Sequence, residues 1–120
     1  MHRRLLLRAL PVALAAPRVA RAQGGGFPQR TITLIVASAP GGTLDALARF
    51  FAQAMAPGLG QNVVVENVGG AGGLIGMQRV MRAEPDGYTI AFGNMGIMAA
   101  FAATNPNAGY NPRRDLAPVG

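Results

Sequence analysis

Three glycine-rich runs are the groups in this chain best suited to chemistry: residues 39–42, 69–73 and 93–96. Each run stands just before an apolar pattern with helical spacing, so its backbone N–H groups would open onto a helix N-terminus. Such a loop carries partial positive charge and binds a carboxylate, phosphate or sulfate. The alternative is that the glycines only permit tight turns and close packing of helix on sheet. Three loops of the same kind favour a ligand site.

Side chains with catalytic or metal-binding chemistry are scarce. All 11 cations of the 120-residue chain are Arg, Cys is absent, and the only His is His2. This composition excludes thiolate and Schiff-base nucleophiles, disulfides, a lipid-modified cysteine anchor and two-His metal motifs. Ser38 has neither a His nor a Lys partner, so its expected role is a hydrogen bond to nearby backbone. We predict no catalytic residue, no metal site and no cofactor.

The glycine loops do not match the known nucleotide-binding patterns. The dinucleotide fingerprint would need a third glycine after Gly70 and Gly72, at the position where the chain has Ile75. That fingerprint also belongs after the first strand, and the phosphate-binding loop requires a Lys. We therefore expect neither kind of nucleotide site.

The first 22 residues are typical of an export leader. The first 21 residues hold five of the 11 arginines and no acidic residue. A short apolar stretch, residues 9–16, follows the first three of these arginines. Ala20-Arg21-Ala22 then gives the small-x-small pattern of signal-peptidase cleavage. We predict a signal peptide over residues 1–22, cut after Ala22, and a periplasmic location. Arg3-Arg4 fits the twin-arginine route as well as the general secretory route, and both stay open.

The predicted mature chain has almost no net charge. The whole chain carries +6, but residues 23–120 hold six Arg and five acids, a net charge of +1. A basic chain of this size would ordinarily suggest nucleic acid or a membrane surface as its partner. With the charge confined to the leader, we expect neither a nucleic-acid partner nor a direct membrane anchor.

Strand and helix patterns alternate along the rest of the chain. We predict strands at 31–36, 62–66 and 88–92, and helices from Thr43 to about 57–60, at 74–83 and at 97–103. Residues 23–30 form a lead-in, Thr43 is the predicted N-cap of the first helix, and the segment after 103 is predicted to be irregular. This alternation predicts an α/β fold with a parallel sheet, whose carboxyl edge would gather the three loops.

Two polar side chains near the loops have open roles. Asp45 stands four residues before Arg49, which allows a helix-surface ion pair, but its carboxylate could equally cap loop N–H groups or meet a ligand amine. Asn94 either forms the turn after the third strand or donates its amide to a ligand.

Several motifs occur in order over residues 31–120. They are Ile32-Thr33-Leu34-Ile35-Val36, Ala39-Pro40-Gly41-Gly42-Thr43-Leu44-Asp45, Ala48-Arg49, Gly60-Gln61, Val63-Val64-Val65-Glu66-Asn67, Gly70-Ala71-Gly72-Gly73-Leu74-Ile75-Gly76, Pro85-Asp86-Gly87-Tyr88-Thr89, Gly93-Asn94 and the tail from Tyr110 to Val119. In these motifs the chain resembles the substrate-binding proteins of tripartite tricarboxylate transporters, also called the Bug family.

The resemblance implies a periplasmic receptor with two α/β lobes around a ligand cleft. Such a receptor binds a small carboxylated solute and delivers it to a two-subunit membrane permease. Residues 31–120 would form an incomplete lobe I of this periplasmic-binding-protein-like fold, because the chain stops about where the family turns toward its second lobe. The sequence therefore predicts a truncated receptor.

The resemblance also implies which residues hold the ligand. The first loop would grip the carboxylate, partly through bound water, and the other two loops would line the same lobe. With Ser38 added, the candidate set is Ser38, Pro40, Gly41, Gly42, Thr43, Asp45, Gly70, Ala71, Gly72, Gly73 and Asn94. The alternatives are a secreted α/β enzyme fragment acting on an anionic substrate and an inactive gene remnant. The enzyme is disfavoured because the predicted mature chain has no His, Lys or Cys to act as a base near neutral pH.

Overall fold

The computed structural model describes residues 26–119, so the predicted signal peptide and its cleavage point lie outside the described residues. The elements are β1 (Ile32–Val36), α1 (Thr43–Leu59), β2 (Val63–Asn67), α2 (Leu74–Met81), β3 (Thr89–Phe92), α3 (Phe101–Thr104) and α4 (Pro112–Asp115). A 3-10 turn, Ala71–Gly73, precedes α2, and a π-helical turn, Gly96–Ala100, precedes α3. The predicted α/β fold built from strand–glycine loop–helix units is confirmed. Within residues 26–119, no helix combines the length and the apolar character needed to cross a bilayer.

β1 is the middle strand of a three-stranded parallel sheet with the order β2-β1-β3. Thr33 lies between Val64 of β2 and Thr89 of β3 in the register of the sheet. Residues 34–36 are at most 2% exposed, because helices cover both faces of the sheet at this strand. The apolar end of the predicted strand correctly indicated this burial on both faces.

The two longest helices lie on opposite faces of the sheet. Ile90 and Phe92 of β3 pack with Ala48 of α1, whereas Ala91 between them packs with Met77 of α2. Successive side chains of a strand point to opposite faces, so this alternation assigns α1 and α2 to different sides. The chain thus moves from β1 to β2 over one face and returns past β1 to β3 over the other. The direction reverses between β1 and β3, and ligand clefts of open α/β sheets lie at such a switch point.

The segment after α3 packs onto the α2 side of the sheet. Ala108 and Tyr110 are 2% and 7% exposed and share a core with Met77. The prediction that this segment is irregular throughout is wrong, since it contains α4. The start of α4 has an ordinary capping signal: Asn111 accepts the N–H of Arg113 at 3.0 Å, and Pro112 occupies the first helical turn.

The end of α1 lies within the predicted 57–60, whereas α2 ends at Met81 and not at 83, and the starts of α1 and α3 also differ from their predictions. Gly42 is the N-cap of α1, so Thr43 is the first helical residue and not the cap. Pro57 lies inside α1, which ends at Leu59 because Gly60 takes up a left-handed conformation (φ 64°). A proline in the last turn removes only one backbone hydrogen bond, so the helix continues past it. The third predicted helix begins as the π-helical turn at Gly96 and becomes α-helical only at Phe101.

Candidate functional site

The three glycine loops lie side by side at the carboxyl edge of the sheet. A Cβ placed on Gly69 of the second loop would stand 3.1 Å from the backbone nitrogen of Ala39 in the first loop. A Cβ on Gly73, at the end of the second loop, would stand 2.7 Å from Ile97 Cγ2, just after the third loop. The parallel topology therefore places the predicted residues of all three loops on one continuous surface.

The first loop ends at a helix N-terminus that no side chain caps. Gly42, the N-cap, receives no side-chain cap hydrogen bond, and the first helical bond of α1 runs from the Ala46 N–H to the Gly42 carbonyl at 3.0 Å. The amides of residues 43–45 precede that bond, so they are the groups that a helix N-terminus offers to an anion. Pro40, Gly41, Gly42 and Thr43 are all exposed. Because Pro40 has no N–H and the Gly41 N–H is bonded to Asp45 at 2.8 Å, the backbone donors that this loop offers to an anion begin at Gly42.

Asp45 lies beneath the first loop and holds it in shape. Its side chain is buried, and its Oδ2 accepts the N–H of Gly41 at 2.8 Å. The Nε of Arg49 lies 3.0 Å from Oδ1, an ion pair without the angle of a hydrogen bond. The Gly41 N–H, and next the Arg49 guanidinium, hold the pKa of the Asp45 carboxyl below its ordinary value.

The ion pair with Arg49 and the cap of the loop N–H therefore occur together. The predicted i,i+4 pair is present, but only its Arg49 side is at the helix surface, because the Asp45 side chain is buried. A ligand amine would have to reach a side chain that is only 7% exposed.

The second loop has an unusual backbone. Four consecutive residues have positive φ: Gly70 at 119°, Ala71 at 48°, Gly72 at 67° and Gly73 at 95°. A left-handed conformation costs an alanine roughly 1–2 kcal/mol, so Ala71 is a point of strain that the surrounding contacts must maintain. Strained backbone of this kind is concentrated at ligand-binding and switch regions. The last three of these residues form the 3-10 turn that leads into α2.

Asn94 caps the helical segment after the third loop. Its Oδ1 accepts the N–H of Ile97 at 3.0 Å, and its own carbonyl accepts the N–H of Met98 at 2.9 Å. Because the carboxamide oxygen points at the helix, the NH2 group of this exposed side chain points away from it. The two predicted roles of Asn94, turn former and amide donor, are therefore compatible in one conformation.

Ser38 follows β1 at the base of the first loop. Its backbone N–H bonds to the Val36 carbonyl at 2.8 Å, but its hydroxyl oxygen is buried without a hydrogen-bond partner among the described residues. The expectation that the hydroxyl bonds nearby backbone is wrong. The hydroxyl lies below the loop surface, in contrast to the exposed loop residues 40–43.

Two contacts at the site join residues far apart in sequence. Arg49 donates to Asn67 Oδ1 at 3.2 Å, which connects α1 to the end of β2. Tyr110 donates its hydroxyl to the Ile97 carbonyl at 2.6 Å and so braces the segment after the third loop. No spacing rule predicts either contact; the only signal was the place of Asn67 and Tyr110 within the motifs of the resemblance.

The charged groove of the molecule lies away from the loops. It has a volume of about 240 Å³ and is lined by Arg30 and Asp86, which precede β1 and β3, and by Glu66 and Arg79. Arg30 pairs with Asp86 at 2.7 Å, and Arg79 lies 3.6 Å from Glu66, so the charges largely neutralise one another. Over residues 26–119, no group of three or more His, Cys, Asp or Glu side chains could hold a metal ion.

A family pattern and similar protein sequences both match this chain. The sequence pattern of the tripartite tricarboxylate transporter family receptors matches residues 47–120. A UPF0065 protein of Agrobacterium vitis, from the TAR-I ttuE-ttuC' intergenic region, is 45% identical over 111 residues, which cover 92% of this chain and 32% of the relative.

Several solved structures also match this chain. MatC of Rhodopseudomonas palustris with bound malate matches with a TM-score of 0.73 at 43% identity, over 78% of this chain and 32% of MatC. Rpa4515 of R. palustris with adipate matches with a TM-score of 0.67 at 37% identity, over 72% of this chain and 29% of that protein. Other matching structures are described as a periplasmic transporter and a periplasmic binding protein. The chain spans about a third of the length of the curated relatives that it matches.

Proposed function

Because the chain belongs to the family of tripartite tricarboxylate transporter receptors, we propose that it serves as a receptor that binds a small carboxylated solute without transforming it. The observation that carries this proposal is the exposed, uncapped N-terminus of α1 at the switch point between β1 and β3. This is where open α/β sheets bind ligands, and a helix N-terminus favours an anion.

The three loops have different parts in the proposed site. The first loop, residues 40–43, binds the ligand carboxylate with the backbone amides of Gly42 and Thr43, partly through bound water, while the Gly41 N–H stays bonded to Asp45. Asn94 donates from the third loop, and residues 70–73 form the side wall. Ser38 and Asp45 support the first loop from below. Because Arg49 is paired with Asp45, the carboxylate beneath the loop repels an incoming anion less than an isolated charge would.

The ligands of similar proteins support a carboxylate rather than a phosphate. MatC binds malate and Rpa4515 binds adipate, and both molecules are dicarboxylates. The match to receptors of tripartite transporters supports delivery of the solute to a two-subunit permease. The leader-like residues 1–22 and the periplasmic relatives support export, cleavage after Ala22 and action in the periplasm as one lobe of a longer receptor.

The proposal is tested by calorimetry on the whole chain. Malate and adipate are titrated against it, with malamide, the neutral diamide of malate, as the matched control and inorganic phosphate as the competing anion. We expect saturable heat with at least one dicarboxylate, none with malamide, and a weaker response to phosphate. The malate must be recovered unchanged. Equal binding of malamide and malate, or turnover of the malate, would contradict a carboxylate receptor.

A further inference from the structure

Arg49 links two parts of the site that are distant in the sequence. Its Nε lies 3.0 Å from Asp45 Oδ1, and its Nη2 donates to Asn67 Oδ1 at 3.2 Å. Asp45 in turn accepts the N–H of Gly41 at 2.8 Å. A continuous polar path therefore leads from the first glycine loop to the last residue of β2.

Asn67 is placed where the first two loops meet. It lies opposite Val36 in the register of the sheet and two residues before Gly69, which is in close contact with Ala39. Its Nδ2 is buried, as are the Ser38 hydroxyl and Asp45 Oδ1, and none of the three has a hydrogen-bond partner among the described residues. Asn67 thus points into the junction of the loops and not into solvent.

Without Asn67, the ion pair between Arg49 and Asp45 would be the weak contact of this polar path. The Arg49 side chain is 52% exposed, whereas that of Asp45 is 7% exposed. An arginine held only by its pair with Asp45 would exchange that contact for water, because half-exposed ion pairs are weak on their own. The hydrogen bond to Asn67 holds the Arg49 guanidinium in one orientation. Arg49 in turn holds the Asp45 carboxylate, which accepts the Gly41 N–H. Linked polar contacts of this kind stabilise one another.

We infer that Asn67 is a positioning residue of the carboxylate site, which acts through Arg49 and Asp45 to hold the first loop at a fixed distance from the second. The inference deepens the proposed function and rests on it for its effect on ligand affinity. Asn67 itself does not touch the ligand; it sets the direction of the loop amides that do.

The first test reads the loop directly and needs no ligand. Amide hydrogen exchange at Gly41 is measured by NMR in the whole chain and in three variants. Asn67→Val removes the acceptor oxygen, Asn67→Gln keeps a neutral carboxamide, and Glu66→Val is the matched control on the same strand but the opposite face. We expect exchange at Gly41 about tenfold faster in Asn67→Val, from the loss of a charge-assisted hydrogen bond, and near the native rate in the other two.

The second test measures malate affinity and the melting midpoint of the same variants. We expect Asn67→Val to bind malate about tenfold more weakly while melting within a few degrees of Glu66→Val, and Asn67→Gln to recover most of the affinity. Equal Gly41 exchange in Asn67→Val and Glu66→Val would overturn the inference, and so would a failure of Asn67→Gln to restore the native exchange rate. If the native chain bound no carboxylate, the proposed function would fail while the Gly41 exchange still decided the role of Asn67.

Discussion

At the scale of single residues, Asn94 offers the sharpest test of the site. Its Oδ1 caps the Ile97 N–H, and its NH2 group is left for a ligand. Asn94→Asp keeps an oxygen for the cap but replaces the donor with a negative charge. We expect malate affinity to fall at least tenfold while the melting midpoint stays within a few degrees of the native value, since a carboxylate caps a helix about as well as an amide.

The control for Asn94 is Asn107→Asp, which adds the same charge on the exposed segment between α3 and α4. Calorimetry with malate compares the two variants. Equal affinity in both would mean that Asn94 is only a cap. A large drop in the melting midpoint of Asn94→Asp would mean that the amide group itself supports the fold.

Acid sensitivity is a second residue-scale property. The Arg114 guanidinium, and next the Asn111 N–H, lower the pKa of the Asp115 carboxyl to about 2. A carboxyl with a lowered pKa in the folded state stabilises the fold above its unfolded pKa, and this contribution is lost as the pH falls toward the folded value. We therefore expect stability to decline between about pH 4 and pH 2. Asp115→Asn should show a smaller decline in urea midpoints measured at pH 7, 4 and 2.5; an unchanged decline would contradict this assignment.

At the scale of elements, α2 approaches the sheet unusually closely at Gly76. A Cβ there would lie 2.6 Å from the Val68 carbonyl oxygen and 2.7 Å from the Ala37 Cβ. Alanine is the better helix former by about 1 kcal/mol, but overpacking costs about 1–3 kcal/mol, and contact with rigid backbone places this case at the upper end. We expect Gly76→Ala to lower the free energy of unfolding by about 1–2 kcal/mol net.

Gly58→Ala is the control for that prediction, because it lies in α1 with nothing within 4 Å of the added Cβ. This variant should keep or raise the stability by up to about 1 kcal/mol. Urea denaturation of both variants gives the comparison. A Gly76→Ala protein as stable as Gly58→Ala would show that α2 can move away from the sheet without loss.

The elements also show what the sequence could and could not predict. The three strands agree with their predicted limits within one residue, because β-branched runs between glycine breakers are a local signal. The gathering of the three loops at one edge of the sheet followed from the predicted parallel topology. The close approach at Gly76, the contact between Arg49 and Asn67 and the Tyr110 brace could not be predicted, since each depends on how distant segments meet. The start of α3 was misplaced because a π-helical turn has no simple pattern of its own.

At the scale of the whole molecule, the glycine loops, the paired surface charges and the exposed apolar side chains lie on different parts of the protein. The glycine loops occupy the carboxyl edge, whereas the paired charges of Arg30 and Asp86 lie toward the opposite edge. The described residues leave β3 paired only with β1. Beside β3, the outer side of α1 carries an apolar stripe of Leu47, Phe50 and Phe51, which are 46%, 66% and 45% exposed.

This stripe continues onto the sheet, because the Phe51 ring lies 5.6 Å from that of Phe92. An apolar stripe next to an unpaired strand edge promotes association between chains. We expect the chain to self-associate with rising concentration in sedimentation velocity, and Phe50→Lys to suppress this without lowering the melting midpoint. Asn107→Lys, on the exposed segment between α3 and α4 and away from both edge strands, is the control and should leave association intact. If both variants suppressed association equally, net charge and not the α1 stripe would be its cause, because each adds one positive charge to the same chain.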